Sequence, residues 1–126
     1  GANCSAQRAV ITAMEADPSA VKYMVDEFKI RRDLVLDLLK DIEGFKTNTP
    51  EGAFYVLPDI SSYFGKTLRG KTINNATDFS LYLLEEALVA TVTGEAFGND
   101  NTIRISYAAS QEELIEAMKR IKDAVS

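Results

Sequence analysis

The chain has 126 residues, enough for one modest domain with a core of its own. Hydrophobic residues make up 46% and charged residues 26%, an ordinary globular balance that argues against disorder, and the net charge of −5 disfavours a nucleic-acid or anionic-membrane partner. Histidine is absent and Cys4 is the only cysteine, which excludes a histidine-based hydrolase triad, a histidine or cysteine metal centre and an internal disulfide.

Residues 3 to 15 read as a helix, with Ala6, Val10, Ile11 and Met14 at helical spacing. This helix looks loosely attached to the rest of the chain. Asp17 is a good N-cap and Pro18 suits a first helical position. From there one long helix of about 25 residues, roughly 37 Å at 1.5 Å per residue, is expected to end at Gly44. Its apolar face would be Val21, Met24, Val25 and Phe28, then Val35, Leu38, Leu39 and Ile42. Arg31 and Arg32 interrupt that stripe, so its middle is expected to be exposed or to touch another chain.

Ala53 to Leu57 form a strand, closed by Pro58. Phe54 and Tyr55 point to opposite faces, one of them into the core. Residues 61 to 77, with Gly65 and Gly70 among polar residues, read as a loop. Asp78 to Ala87 form a helix with Phe79, Tyr82, Leu83 and Leu84 inward. "LVATVTG" and "TIRISYA" are the second and third strands, and Ser110 with Glu113 makes a capping box that opens the last helix, striped by Leu114, Met118, Ile121 and Val125. The order predicts an α+β fold: a small, mainly antiparallel sheet of about three strands with helices packed on one face.

Few groups carry chemistry on residue type alone. "VTGEAFGND" is a tight connection between two strands and lacks the lysine and following helix of a phosphate loop. Glu85–Glu86 and Glu112–Glu113 read as solvated helix faces, and Asn3-Cys4-Ser5 as a helix start rather than a nucleophile set. Arg104, alternating with Ile103 and Ile105, reads as a solvated strand residue when taken alone. No apolar run approaches the roughly 18 residues of a membrane span and no signal peptide is visible; with a single cysteine this points to a cytoplasmic setting. The opening Gly-Ala-Asn suggests a processed product or an expressed fragment.

Four segments in order, "FKIRRDLVLDLLKDIEG", "TPEGAFYVLPDI", "YLLEEALVATVTGEAFG" and "NTIRISYAASQEELIEAMKRI", resemble the C-terminal part of class I/II aminotransferases, and within them the bacterial-type aspartate aminotransferases, a group that includes enzymes acting on prephenate. The resemblance implies fold type I, with residues 1–16 as the last helix of a large domain and residues 17–126 as the small C-terminal domain. It implies a pyridoxal 5'-phosphate (PLP) cofactor in the parent enzyme, amino-acid and 2-oxo-acid substrates, and a homodimer.

By the same resemblance Arg104 grips the substrate α-carboxylate and Phe97 lines the pocket. Many family members carry proline where Thr93 stands, which alters loop stiffness. None of Lys22, Lys29, Lys40, Lys46, Lys66, Lys71, Lys119 or Lys122 lies in the family's Ser-x-x-Lys context. The resemblance therefore places no catalytic or cofactor-binding residue in this chain, and the fragment alone is expected to bind no PLP, to be inactive and to self-associate. A non-catalytic binding or dimerisation module of the same fold, or another fold type I enzyme such as a lyase or synthase, stands as the alternative.

Overall fold

Four helices and five short strands make up residues 1–126 in the computed structural model. Cys4–Glu15 forms α1, and a 3-10 turn at Pro18–Val21 leads into α2, Lys22–Lys40. β1 is Tyr55–Val56, and a short hairpin pairs β2 (Thr67–Leu68) with β3 (Lys71–Thr72). Next come α3 (Ala76–Tyr82), β4 (Val92–Thr93), β5 (Ile103–Ser106) and α4 (Gln111–Val125).

The main sheet has the order β1-β5-β4 and is antiparallel throughout. Its inner face presents Val56, Ile103 and Ile105 to the helices, and all three are buried. With α2, α3, α4 and the segments that join these elements they form one core of 20 buried side chains. Fully burying each of these aliphatics contributes about 1.5–3 kcal/mol. Pairing between the chain segments around β1 and β5 runs beyond the two-residue strand. Tyr107 N–H donates to Phe54 O at 2.8 Å, Ile103 N–H to Pro58 O at 3.2 Å, and Ile60 N–H to Asn101 O at 2.9 Å. β1 is shorter than expected because Ala53 takes φ 63° at one end and Pro58 has no N–H to offer at the other.

The long helix divides in two. Asp17 Oδ1 accepts from Ser19 N–H at 2.8 Å and caps a 3-10 turn, and Val21, at φ −111° and ψ 5°, separates that turn from α2. Gly44 (φ 95°) ends the turns beyond α2 rather than the helix itself. α2 packs inward mainly through its C-terminal half, by Val35, Leu36 and Leu39, followed by Ile42, while Phe28, half-buried, rests edge-on against Tyr107 with centroids 6.3 Å apart. Val21, Met24 and Val25, expected on the buried face, are exposed. The arginine pair has partners within the chain: Arg31 pairs with Glu27 at 2.8 Å, and Arg32 pairs with Asp33 at 2.7 Å and donates to Pro50 O at 3.1 Å, while Lys29, Ile30 and Asp33 beside them are exposed.

Residues 61–77 are not a loop. They hold the β2–β3 hairpin, turned by Arg69 (φ 46°) and Gly70 (φ 82°), and they bury Tyr63 and Ile73. Tyr63 stacks on Phe79 with centroids 4.9 Å apart, and its hydroxyl donates to Glu43 O. Burial pushes the Tyr63 phenol up to about 12.

α3 starts two residues earlier than expected, because Asn75 Oδ1 caps it by accepting from Asp78 N–H at 2.8 Å. Helical spacing from Phe79 buries Tyr82, Leu83 and Ala87, while Leu84 lies off that face and is exposed. A π turn at Leu83–Ala87 then ends in Leu88 at φ 54° and ψ 37°. This left-handed residue keeps residues 88–91 out of the sheet and shortens β4 to Val92–Thr93.

The capping box of α4 is complete: Glu113 N–H donates to Ser110 Oγ at 3.2 Å, and Ser110 N–H donates to Glu113 Oε2 at 3.1 Å. α1 is capped by Asn3, whose Oδ1 accepts from Ser5 N–H at 2.8 Å, so Asn3-Cys4-Ser5 is a helix start. None of the 12 residues of α1 is buried. No helix is long and apolar enough to cross a membrane.

Leu88 is 74% exposed in a conformation that costs a non-glycine residue roughly 1–2 kcal/mol. Leu88→Gly is expected to stabilise the chain by about 0.5–1 kcal/mol, after allowing for the extra freedom of glycine in the unfolded chain. Urea unfolding should show a higher midpoint with an unchanged slope.

Candidate functional site

The outer face of the sheet carries the polar residues. Arg104 stands between the buried Ile103 and Ile105, so its side chain leaves by the opposite face. Val92 lies directly across from Arg104 on β4. Tyr55 lies across from Ser106 on β1, which makes it the diagonal neighbour of Arg104 on the same face, within reach of long side chains.

The connection from β4 to β5 folds over this face as a 3-10 turn, Gly94–Phe97. Gly94 N–H donates to Thr102 O at 2.7 Å, Asn99 N–H to Gly94 O at 3.1 Å, and Thr102 Oγ1 to Asn99 O at 3.0 Å. Gly98, at φ 78°, ends the turn in a left-handed conformation. Phe97 is thereby brought back over Arg104, with its ring centroid 4.7 Å from Cζ. The Tyr55 centroid is 5.4 Å from the same atom, and the two rings are 6.4 Å apart at 34°. These three distances form a triangle, so the rings do not enclose the guanidinium from opposite sides. They make two adjoining walls of a corner, with the guanidinium in its mouth.

Neither Phe54 nor Tyr55 enters the core, contrary to expectation. Phe54 is exposed and Tyr55 half-buried, and the inward residue of that segment is Val56. Tyr55 was not legible as a site residue, because only its pairing register places it beside Arg104.

The six arginines separate sharply. Arg31, Arg32 and Arg120 are paired with carboxylates, and Arg69 donates to Asp123 O at 2.7 Å. Arg8 stands exposed on α1. Arg104 is half-buried, yet its guanidinium enters none of the chain's ion pairs or side-chain hydrogen bonds. A planar fork of donors, set in an aromatic corner and uncommitted, fits a carboxylate. The other charged clusters sit elsewhere: Glu85 and Glu86 both pair with Lys71, away from Arg104.

Residues 3–121 match the family described as aminotransferase class I and II, and the chain belongs to it. It is 44% identical, over 99% of its length, to the bifunctional aspartate aminotransferase and glutamate/aspartate-prephenate aminotransferase of Petunia hybrida, covering 27% of that protein. It is 46% identical, over 96% of its length, to the probable aspartate/prephenate aminotransferase of Rickettsia prowazekii, covering 31% of it. The crystal structure of the Rhizobium meliloti aspartate aminotransferase superposes with a TM-score of 0.88 at 43% identity, over 94% of this chain and 30% of that one. The chain thus spans less than a third of the length of these relatives.

The turn that carries Phe97 makes its own prediction. A Cβ on Gly94 would fall inside the van der Waals radii of Thr102 Oγ1 and of the backbone oxygens of Asn99 and Thr102. Gly94→Ala is expected to cost about 2 kcal/mol or more in urea unfolding. Thr93→Pro is expected to be neutral or mildly stabilising. Thr93 has φ −58°, and the bond from Gly94 to Thr102 leaves Thr93 and Ile103 as a pair that exchanges no ladder bonds. The variant gives up only the 3.3 Å Thr77–Thr93 hydroxyl contact.

Proposed function

We propose that this chain is the substrate-carboxylate-gripping part of a PLP-dependent aminotransferase that moves an amino group between an amino acid, aspartate foremost, and a 2-oxo acid. The observation that carries this reading is the uncommitted Arg104 guanidinium in its aromatic corner. An amino donor and a 2-oxo acceptor share one group, the α-carboxylate. A single bidentate contact to it therefore serves both halves of the reaction, and it fixes the orientation of the carbon beside it. Phe97 lines the pocket wall next to that contact. The relatives' names favour aspartate, with prephenate-derived acceptors in the same group.

The residues of this chain do not fit attachment of PLP. A Schiff-base lysine needs a neutral amine in a desolvated pocket. All the lysines except Lys71 are exposed. Lys71 is held protonated by its hydrogen bonds to Glu85 and Glu86, and Lys40 by its bond to Asp37. The role assigned to this chain is binding and orientation alone. PLP in the whole protein supplies the electron sink for the amino-group transfer.

The division into residues 1–16 and 17–126 is part of the proposal. α1 buries nothing against the rest of the chain, which supports its belonging to a larger unit. The whole protein would act as a homodimer, and the lone, exposed Cys4 accords with a reduced, cytoplasmic setting.

In the whole protein, Arg104→Ala is expected to raise KM for both aspartate and the 2-oxo acid by roughly a hundredfold, the loss of about 3 kcal/mol of charge-assisted hydrogen bonding. Arg104→Lys keeps the charge but not the fork and should fall between. A KM within about twofold of the parent in Arg104→Ala would sink the reading.

The 126-residue chain by itself is expected to self-associate. Val10, Ile11 and Met14 on α1 and Val21, Met24 and Val25 at the start of α2 are exposed, Met14 to 82%, and clustered exposed apolar side chains favour association. Sedimentation velocity across a concentration series should show a rising average mass. A single monomer-sized boundary throughout would contradict it.

A further inference from the structure

We propose that Tyr55 is the positioning residue for Arg104: its ring, not its hydroxyl, holds the guanidinium ready for the carboxylate. The inference rests on the carboxylate-binding role proposed for Arg104 and adds a residue that neither the spacing nor the relatives' names assign.

Arg104 has no ion pair and no side-chain hydrogen bond, so hydrogen bonding within the chain does not orient it. An arginine side chain carries about 2 kcal/mol of rotamer entropy, and substrate binding must overcome whatever part of it is still free. Two aromatic faces remove part of that freedom beforehand. They attract the cation through their ring quadrupoles and shield it from water. Because they form a corner, neither ring covers the side of the guanidinium turned away from them, where a carboxylate could approach.

The two walls are not equivalent. Phe97 is 43% exposed and rides on a short turn. Tyr55 is built into the sheet. Its neighbour Phe54 packs edge-on against its ring, with centroids 5.7 Å apart at 86°. The start of β1 is tied to the segment after β5 by two bonds from one residue: Tyr107 N–H donates to Phe54 O at 2.8 Å, and Tyr107 Oη donates to Ala53 O at 3.0 Å. The latter bond holds Ala53 at φ 63°, a left-handed conformation unusual for alanine. Tyr107, buried in the core, thus sets the height and direction at which Tyr55 meets Arg104. The Tyr55 hydroxyl enters none of the hydrogen bonds found in the chain, which leaves the ring as the part that acts.

The test is steady-state kinetics of the whole protein with aspartate and 2-oxoglutarate, comparing Tyr55→Leu, Tyr55→Met, Tyr55→Phe and Arg104→Ala, with folding checked by circular dichroism. Tyr55→Leu and Tyr55→Met should raise KM for both substrates by about tenfold and leave kcat within about twofold. Tyr55→Phe should restore both KM values to within about twofold of the parent. If Arg104→Ala raises KM while Tyr55→Leu and Tyr55→Met do not, the role of Tyr55 is overturned and carboxylate binding by Arg104 stands. A Tyr55→Phe variant as impaired as Tyr55→Leu overturns the ring's role in favour of the hydroxyl. If Arg104→Ala itself leaves KM unchanged, the underlying reading falls instead.

Discussion

The period-two alternation of Ile103–Ser106 is the constraint on which the site depends. Ile103 and Ile105 are buried against the helix layer, and this turns Arg104 to the other face. A slip of one residue would reverse every side chain in the strand. It would expose two isoleucines and drive an unpaired guanidinium into the core, a penalty of several kcal/mol on top of the lost burial. The ordinary hydrophobic core therefore fixes the direction of the one half-buried arginine whose charge is free for other work. The register on either side follows from the same strand: β1 supplies Tyr55 along the diagonal, and β4 supplies the stem of the turn that returns Phe97.

Local irregularities shape the surroundings of that strand. Ala53 and Pro58 bound β1, and Leu88 delays the entry of β4, so the sheet is only as long as β5 can pair. Gly94 lets the turn close against Thr102, where a side chain would collide. The two left-handed residues differ in meaning. Leu88 is exposed and satisfies no visible demand at the site. Ala53 is held by a tyrosine hydroxyl two residues ahead of Tyr55, where its geometry has a consequence.

The two ends of the chain contrast in packing. The C-terminal half of α2, together with α3, α4 and the sheet, shares one buried cluster. α1 and the start of α2 present apolar side chains at helical spacing that this chain leaves largely uncovered. The same 3.6-residue periodicity produces both surfaces. Their difference lies in which partners the chain itself provides, and this agrees with its span of less than a third of its relatives.

Much of this was legible in the residues. Caps at Asn3 and Ser110 act within a few positions of themselves, so spacing alone located two helix starts, whereas Asp17 caps only the 3-10 turn before α2. Alternation placed Arg104 outward on a strand, and four ordered segments marked the family, which the match over residues 3–121 bears out. Other features depend on contacts far along the chain. The β2–β3 hairpin buries Tyr63 and Ile73 by tertiary packing that its polar sequence does not announce. The division of the long helix turns on Val21, an unremarkable residue by type. Tyr55 joins Arg104 only through a pairing register between segments distant in sequence, and Phe97 only through the fold of its turn. Residue order determined the periodic elements around α1, α3, α4 and β5 and the outward arginine, because those rest on local periodicity. Only the tertiary structure decided that the arginine lacks a partner of its own and stands in an aromatic corner, because a partner is a matter of proximity in space.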